Sequence, residues 1–342
     1  MVNEGEVNGI AADVRDFGPM ALAEYDFVVI GLDNYAAKVY INQVWLQIPD
    51  NKRPVVVIGG TNLEQAQSTC LDGKDACLRC LFDESWLVDS ERSTSCAGAQ
   101  YFNFSGKREA VRTSSCASQM AALLMVNHIR KCVLGHEKIK NTRFCYCPDY
   151  DPPVTLNSPM KKTNCPDCND YSAVNDQREL DGSVLTTTLG DVMEKIRENL
   201  GRADFELLAP QFEFAGTGYS GIIETDYCHS CSKPIPNIFK HESRVKFGDV
   251  LCDECKAAGR LAYHHPARPE AKLIYGFTPT GIPEAAKNKT LYSLGWQMGA
   301  LLTVVLKNGA VNMLDERVEV INFTLGGDRE LIKTTFTLCE EE

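Results

Sequence analysis

The chain has no apolar run close to the roughly 20 residues that a bilayer-spanning helix requires; near its middle the longest is AALLMV, at 121–126. A membrane is not an expected partner. The opening MVNEGEVNGI holds neither the basic patch nor the apolar stretch of a secretory signal, so the expected compartment is the cytosol, where thiols stay reduced. Positive charge is short as well. There are 35 Lys and Arg against 46 Asp and Glu, a formal net charge of −11, which disfavours the phosphate-driven attraction behind most nucleic-acid binding. No nucleic acid is expected as a partner. Neither an H-E-x-x-H nor a Ser-His-Asp pattern is present, and no glycine-rich phosphate loop follows a strand. DFGPM at 16–20 lacks the spacing, and GTGYSG at 216–221 sits in the wrong context.

Cysteine, by contrast, is plentiful. In a reducing compartment 15 cysteines point to metal binding or catalysis rather than to disulfides. Cys228 and Cys231 in YCHSCS are followed, 20 residues on, by Cys252 and Cys255 in LCDECK. Each C-x-x-C turn aims two sulfurs at one point, so two turns at this distance predict a tetrahedral zinc site. Its first role is structural, because such a site supplies folding free energy to a segment with few apolar residues. A second set is Cys77 and Cys80 in DACLRCLF with Cys165 and Cys168 in TNCPDCND. With 84 residues between the pairs, spacing alone leaves a shared ion open.

At 342 residues, with 44% hydrophobic and 24% charged residues, the chain should fold as two or three soluble domains. FVVIGL at 27–32 and PVVVIGG at 54–60 are apolar runs of the buried parallel-strand kind, and NYAAKVYINQVWLQI between them has helical periodicity. That order is a crossover unit and implies a partial Rossmann-like α/β sheet. Asp33 stands at the carboxyl edge, where it either touches a ligand or caps the helix that follows. Residues 116–134 read as a mostly apolar helix buried against the sheet and stopped at Gly135, and 141–182 read as irregular structure. The expected division is 1–177 and 178–342. In the second part TTLGDVMEKIRENLG predicts a capped helix that ends at Gly201. KTLYSLG predicts a helical turn, and ALLTVVL and RVEVINFTL predict strands, together a β-grasp-like module. Residues 225–265 look inserted into it as a zinc ribbon.

The stretch YDFVVIGLDNYAAKVYIN, then VVVIGGTN, GKDACLRCLF, the helix before Gly135 and CPDC resembles the latter half of the adenylating domain of the ubiquitin-activating enzyme superfamily, the ThiF/MoeB-like fold, over about 10–170. The resemblance implies a cofactor-binding segment at Asp33, Asn34, Lys38 and Asn42, with the Asp helping to hold Mg2+ and ATP. It also implies one zinc shared by Cys77, Cys80, Cys165 and Cys168. Lys38 stands where arginine is usual, which keeps the charge but loses the bidentate fork. The family's opening strand and glycine-rich turn would precede residue 10, so the chain alone is expected to adenylate poorly, and a further subunit would supply the nucleotide-binding half.

The tail resembles the ubiquitin-fold domain of catalytic subunits that activate ubiquitin-like modifiers, which implies a modifier protein and a conjugating enzyme as partners. The inserted ribbon is a departure from that pattern. Cys96, in STSCAGAQ with 15 residues between it and Cys80, is the implied catalytic thiol. A thiol is nucleophilic even when little ionised at neutral pH, and its thioester passes readily to another thiol. Cys116, at a helix start, is the alternative nucleophile. A sulfur-carrier relative making an acyl-persulfide, or a non-catalytic zinc-stabilised adaptor, are the competing functions.

Overall fold

A computed structural model describes residues 12–32, 35–62, 64–81, 100–102, 108–110, 114–165, 167–168, 177–210, 221–241, 245, 248–259, 272–306 and 319–328. The chain forms two compact units. One spans 22–174; the other takes 175–328 together with 12–21.

In the 22–174 unit the apolar runs become strands β1 (Phe27–Ile30) and β2 (Val55–Asn62), parallel and in register from Phe27 opposite Val55 to Ile30 opposite Ile58. Helix α1 (Tyr35–Gln47) makes the crossover and buries Val44 and Trp45 completely. The indole N–H of Trp45 donates to the carbonyl of Pro54 at 2.8 Å, which fixes the helix end to the start of β2. From β2 the sheet continues antiparallel through β3 (Gln65–Leu71), then, past a small hairpin of β4 (Gln100–Phe102) and β5 (Arg108–Ala110), through β6 (Thr142–Tyr146) and β7 (Val154–Asn157), in the order β1-β2-β3-β6-β7. Strands β6 and β7 replace the irregular structure expected after 141. Their sequences TRFCY and VTLN are short, and β7 is largely exposed, so neither shows an alternating apolar pattern.

Helix α2 (Ser115–Val133) is capped by the Ser114 side chain, which accepts from the N–H of Ala117, and Gly135 follows it at φ +77°. It lies on β2 and β3 through Ala117, Ala121, Leu124 and His128. Gly59 permits the close approach, because a Cβ there would stand 2.3 Å from Met125 Sδ. The helix is not buried all round: Leu123 and Val126 are 64% and 61% exposed.

The other unit holds a five-stranded sheet of order β13-β9-β14-β15-β8, made of β8 (Gln177–Leu180), β9 (Phe205–Leu208), β13 (Gly276–Phe277), β14 (Leu302–Leu306) and β15 (Glu319–Leu325). Only β15 and β8 pair parallel in it. Helix α3 (Leu189–Leu200) opens with the predicted capping box between Thr188 and Asp191 and ends on Gly201 at φ +66°. Its Leu189, Val192, Met193 and Ile196 join Phe205, Leu207, Leu302, Val304 and Phe323 in one core, each burial worth roughly 1.5–3 kcal/mol. Residues 12–21 attach to this core's rim, the Gly18 N–H donating to the Met298 carbonyl at 2.7 Å. A three-stranded sheet of β10 (Ile222–Tyr227), β11 (Pro234–His241) and β12 (Lys272–Ile274) carries the second cysteine cluster.

Candidate functional site

The first quartet forms where two loops meet. Cys77 and Cys80 flank a 3-10 turn (Leu78–Leu81) that follows β3, and Cys165 and Cys168 follow β7. The four sulfurs lie within 4.8 Å of one another. Cys77 and Cys80 are 3.8 Å apart, Cys77 and Cys165 3.6 Å, and Cys80 and Cys168 3.6 Å. A zinc ion with Zn–S bonds of about 2.3 Å has sulfur–sulfur edges of about 3.8 Å, so the donor set fits a tetrathiolate zinc. The neighbouring thiols of Cys165 and Cys77, and the N–H of Lys162 at 3.4 Å, hold the Cys80 thiol well below its ordinary range, as a metal-bound thiolate needs.

Two buried residues inside the turns tie them together, and sequence reading passed over both. Arg79 lies between Cys77 and Cys80, Asp167 between Cys165 and Cys168. The guanidinium Nη1 donates to Asp167 Oδ1 at 2.9 Å, with the side chains 5% and 1% exposed. Asn42, expected to contact nucleotide, is fully buried against this centre: its Nδ2 donates to Asp167 Oδ2 at 2.6 Å and reaches Cys77 Sγ at 3.4 Å, while its Oδ1 accepts from the Leu78 N–H at 2.8 Å. Both ends of that amide are therefore engaged around the sulfurs. Lys38, one turn earlier on α1, is half-buried. Asp33, Asn34 and Cys96 lie outside the described residues.

Cys228, Cys231, Cys252 and Cys255 form the second quartet, again within 4.8 Å, with Cys231 and Cys252 at 3.6 Å. The β10–β11 connection presents the first pair through a tight turn, the Ser232 N–H donating to the Cys228 carbonyl at 2.8 Å; the second pair opens α4 (Asp253–Ala257). Burial pushes the Cys228 thiol up, but backbone N–H groups of Cys252, Ser230 and Cys231 more than reverse this and bring it down to about 6. Only a small apolar group, Val250 and Leu251 with Ile235, Ile238 and Val245, packs around these sulfurs. A metal is thus the principal source of order here, in keeping with the four-thiolate donor set.

Of the remaining thiols, Cys116 is exposed in the first turn of α2, whereas Cys70 is buried with its sulfur 3.7 Å from that of Cys132. Among the described residues no helix is long and apolar enough to cross a membrane.

An α/β sheet whose distant loops are clasped by a tetracysteine centre is the architecture of residues 22–168. Residues 4–169 match the family model described as ThiF family, and this stretch is a ThiF family domain of the ThiF/MoeB-like adenylating superfamily. Among solved structures the chain is similar to E. coli MccB with ATP, at 17% identity and TM-score 0.32 over 46% of this chain and 44% of that one. It is similar also to E. coli MccB with AMPCPP and MccA, at 15% identity and TM-score 0.31 over 46% and 44%. The chain therefore spans less than half the length of these proteins. No curated protein gives a significant match.

Proposed function

We propose that this chain is the thiol-bearing and recruiting part of an activating enzyme for a ubiquitin-like modifier. The observation that carries the reading is the ThiF family domain with its tetracysteine clasp, which brings C-x-x-C pairs 84 residues apart to one point in the same domain as Cys96. Zinc at each quartet supplies structural order, held by Cys77, Cys80, Cys165 and Cys168 and by Cys228, Cys231, Cys252 and Cys255.

In this reading ATP and Mg2+ activate the modifier's C-terminal carboxyl as an acyl-adenylate, with Asp33, Asn34 and Lys38 as this chain's contribution. The Cys96 sulfur attacks the acyl carbon; a C–S bond forms, the C–O bond to AMP breaks, and the thiol proton passes to solvent. The thioester then moves by thiol exchange to a conjugating enzyme, recruited by the 175–328 unit.

The test supplies a nucleotide-binding half, on the same or another polypeptide, with ATP and the modifier. A reducible adduct should form, and Cys96→Ala should abolish it while adenylate formation continues. Loss of the adduct with Cys116→Ala instead would move the nucleophile to the exposed start of α2. An adduct heavier by one sulfur would mark the acyl-persulfide chemistry of sulfur carriers, and persistence in both variants would favour the adaptor reading.

A further inference from the structure

The strand register brings three loops to one end of the 22–174 sheet. Because β3 runs antiparallel to β2, β6 to β3 and β7 to β6, the end of β3 (Leu71), the start of β6 (Thr142) and the end of β7 (Asn157) all lie at the level of Phe27 and Val55. That is the amino-terminal end of the parallel pair, opposite the end from which the chain leaves β1 toward Asp33. Between these loops is a cleft of ≈ 510 Å³, and Lys74, Lys138, Lys140 and Lys161 reach it from all three, beside Asn141 and Ser158.

Four ammonium groups converging on a chain of net charge −11 are a local reversal of sign. Lys140 is paired with Glu137 at 2.9 Å. Lys74, Lys138 and Lys161 make no ion pair among the described residues, and Asp75, also at the cleft, accepts from Asn141 Nδ2 at 3.1 Å. The floor is preorganised. Asn141 holds a left-handed backbone, φ 57°, that non-glycine residues adopt only when the surroundings enforce it. Its side chain bridges the loops by donating to Asp72 Oδ1 at 2.8 Å and accepting from the Asp72 N–H at 3.2 Å. The far wall is anchored too, through the Lys162 N–H on Cys80 Sγ.

We propose that this cleft binds a polyphosphate anion, at the end of the sheet remote from Asp33. Lysines act as compact point charges suited to phosphate oxygens, and the amide and hydroxyl supply orienting hydrogen bonds. The volume falls in the range of small-ligand sites. Met160 and Pro159 are its only apolar lining, too little for the apolar centre that a docked protein segment needs.

The experiment titrates inorganic tripolyphosphate, by calorimetry, into the full zinc-loaded chain. One saturable site is expected, weakened about tenfold by Lys138→Gln or Lys161→Gln and about a hundredfold by both; both lysines are exposed, so the variants keep the fold. A parallel ATP titration that weakens equally in the double variant identifies a nucleotide's phosphate tail as a source, whereas one that does not leaves the inorganic anion as the ligand. Absence of saturable binding, affinity unchanged in the double variant, or binding of a short polyglutamate peptide in place of tripolyphosphate would each overturn the proposal.

Discussion

Replacing Asp167 with alanine leaves the Arg79 guanidinium 5% exposed and without its carboxylate, between two zinc-ligating cysteines. At 2.9 Å and an effective dielectric of 20, the lost attraction is about 6 kcal/mol before desolvation is counted. Desolvation of the two ions offsets much of that. What remains after one partner is removed is an uncompensated buried charge, which costs about 3–5 kcal/mol, whereas replacing both partners with apolar groups is often neutral. Asp167→Ala should therefore destabilise the zinc-loaded chain by about 3–5 kcal/mol, and Arg79→Met combined with Asp167→Leu by far less. Urea unfolding of the wild type, the single and the double variants checks this. In parallel, zinc transfer to a chromogenic chelator should be easier in Asp167→Ala, since loss of a partner that orients ligands typically lowers metal affinity 10–100-fold. A single variant within 1 kcal/mol of wild type, or a double variant as unstable as the single, would refute the idea that this ion pair staples the two turns.

Two further predictions concern metal and pH. Metal analysis of the purified chain should give two zinc ions, and chelation should unfold the 228–255 ribbon, which holds few apolar contacts of its own; a single ion per chain would remove one quartet. His128 is 0% exposed, with Ser68 Oγ 2.7 Å from its Nδ1; burial, helped by Lys131, brings its pKa down to about 4. The folded chain therefore binds fewer protons than the unfolded one between pH 6.5 and 4, so stability present above pH 6.5 is lost as pH falls through that window, by about 3 kcal/mol in total. His128→Gln should cost most at pH 7.5 and the gap to wild type should narrow toward pH 4.5; a constant gap in denaturant midpoints would show that this imidazole carries no such linkage.

How much of this was readable from residues alone depended on how local each signal was. Strands β1 and β2 are continuous apolar runs, α3 announces itself by Thr188, Asp191 and Gly201, and both quartets follow from C-x-x-C spacing, because each needs only a few adjacent positions. Strand β3, QAQSTCL, and strands β6 and β7 were missed since their partners lie far along the chain and their composition is polar. Arg79 and Asp167 were passed over for a different reason. Their meaning is a pairing over 88 positions, invisible until the loops meet, although a charge of opposite sign in the same place of each C-x-x-C turn was a usable hint. Asn42 was read from the family motif as a nucleotide contact, while its burial against Cys77 and Asp167 is a property of the closed turns.

That position of Asn42 links the two ends of the sheet. Helix α1 starts at Tyr35, directly after Asp33 and Asn34 in the chain, and runs back past the strands so that Asn42, near its other end, meets the first quartet. Lys38 and Asn42 are four residues apart and share a helix face. A zinc ion held by Cys77, Cys80, Cys165 and Cys168 would fix Asp167, Asp167 fixes the Asn42 amide, and Asn42 fixes the register of the helix that carries the segment resembling a nucleotide contact. The metal need not touch a substrate to matter for chemistry at the far end. Its effect would be positional, carried by a rigid helix of 13 residues whose Val44 and Trp45 are wholly buried. This explains why a neutral amide, rather than a charged group, stands at 42: it must satisfy a carboxylate, a sulfur and a backbone N–H at once without adding charge to a buried centre that already holds Arg79 and Asp167.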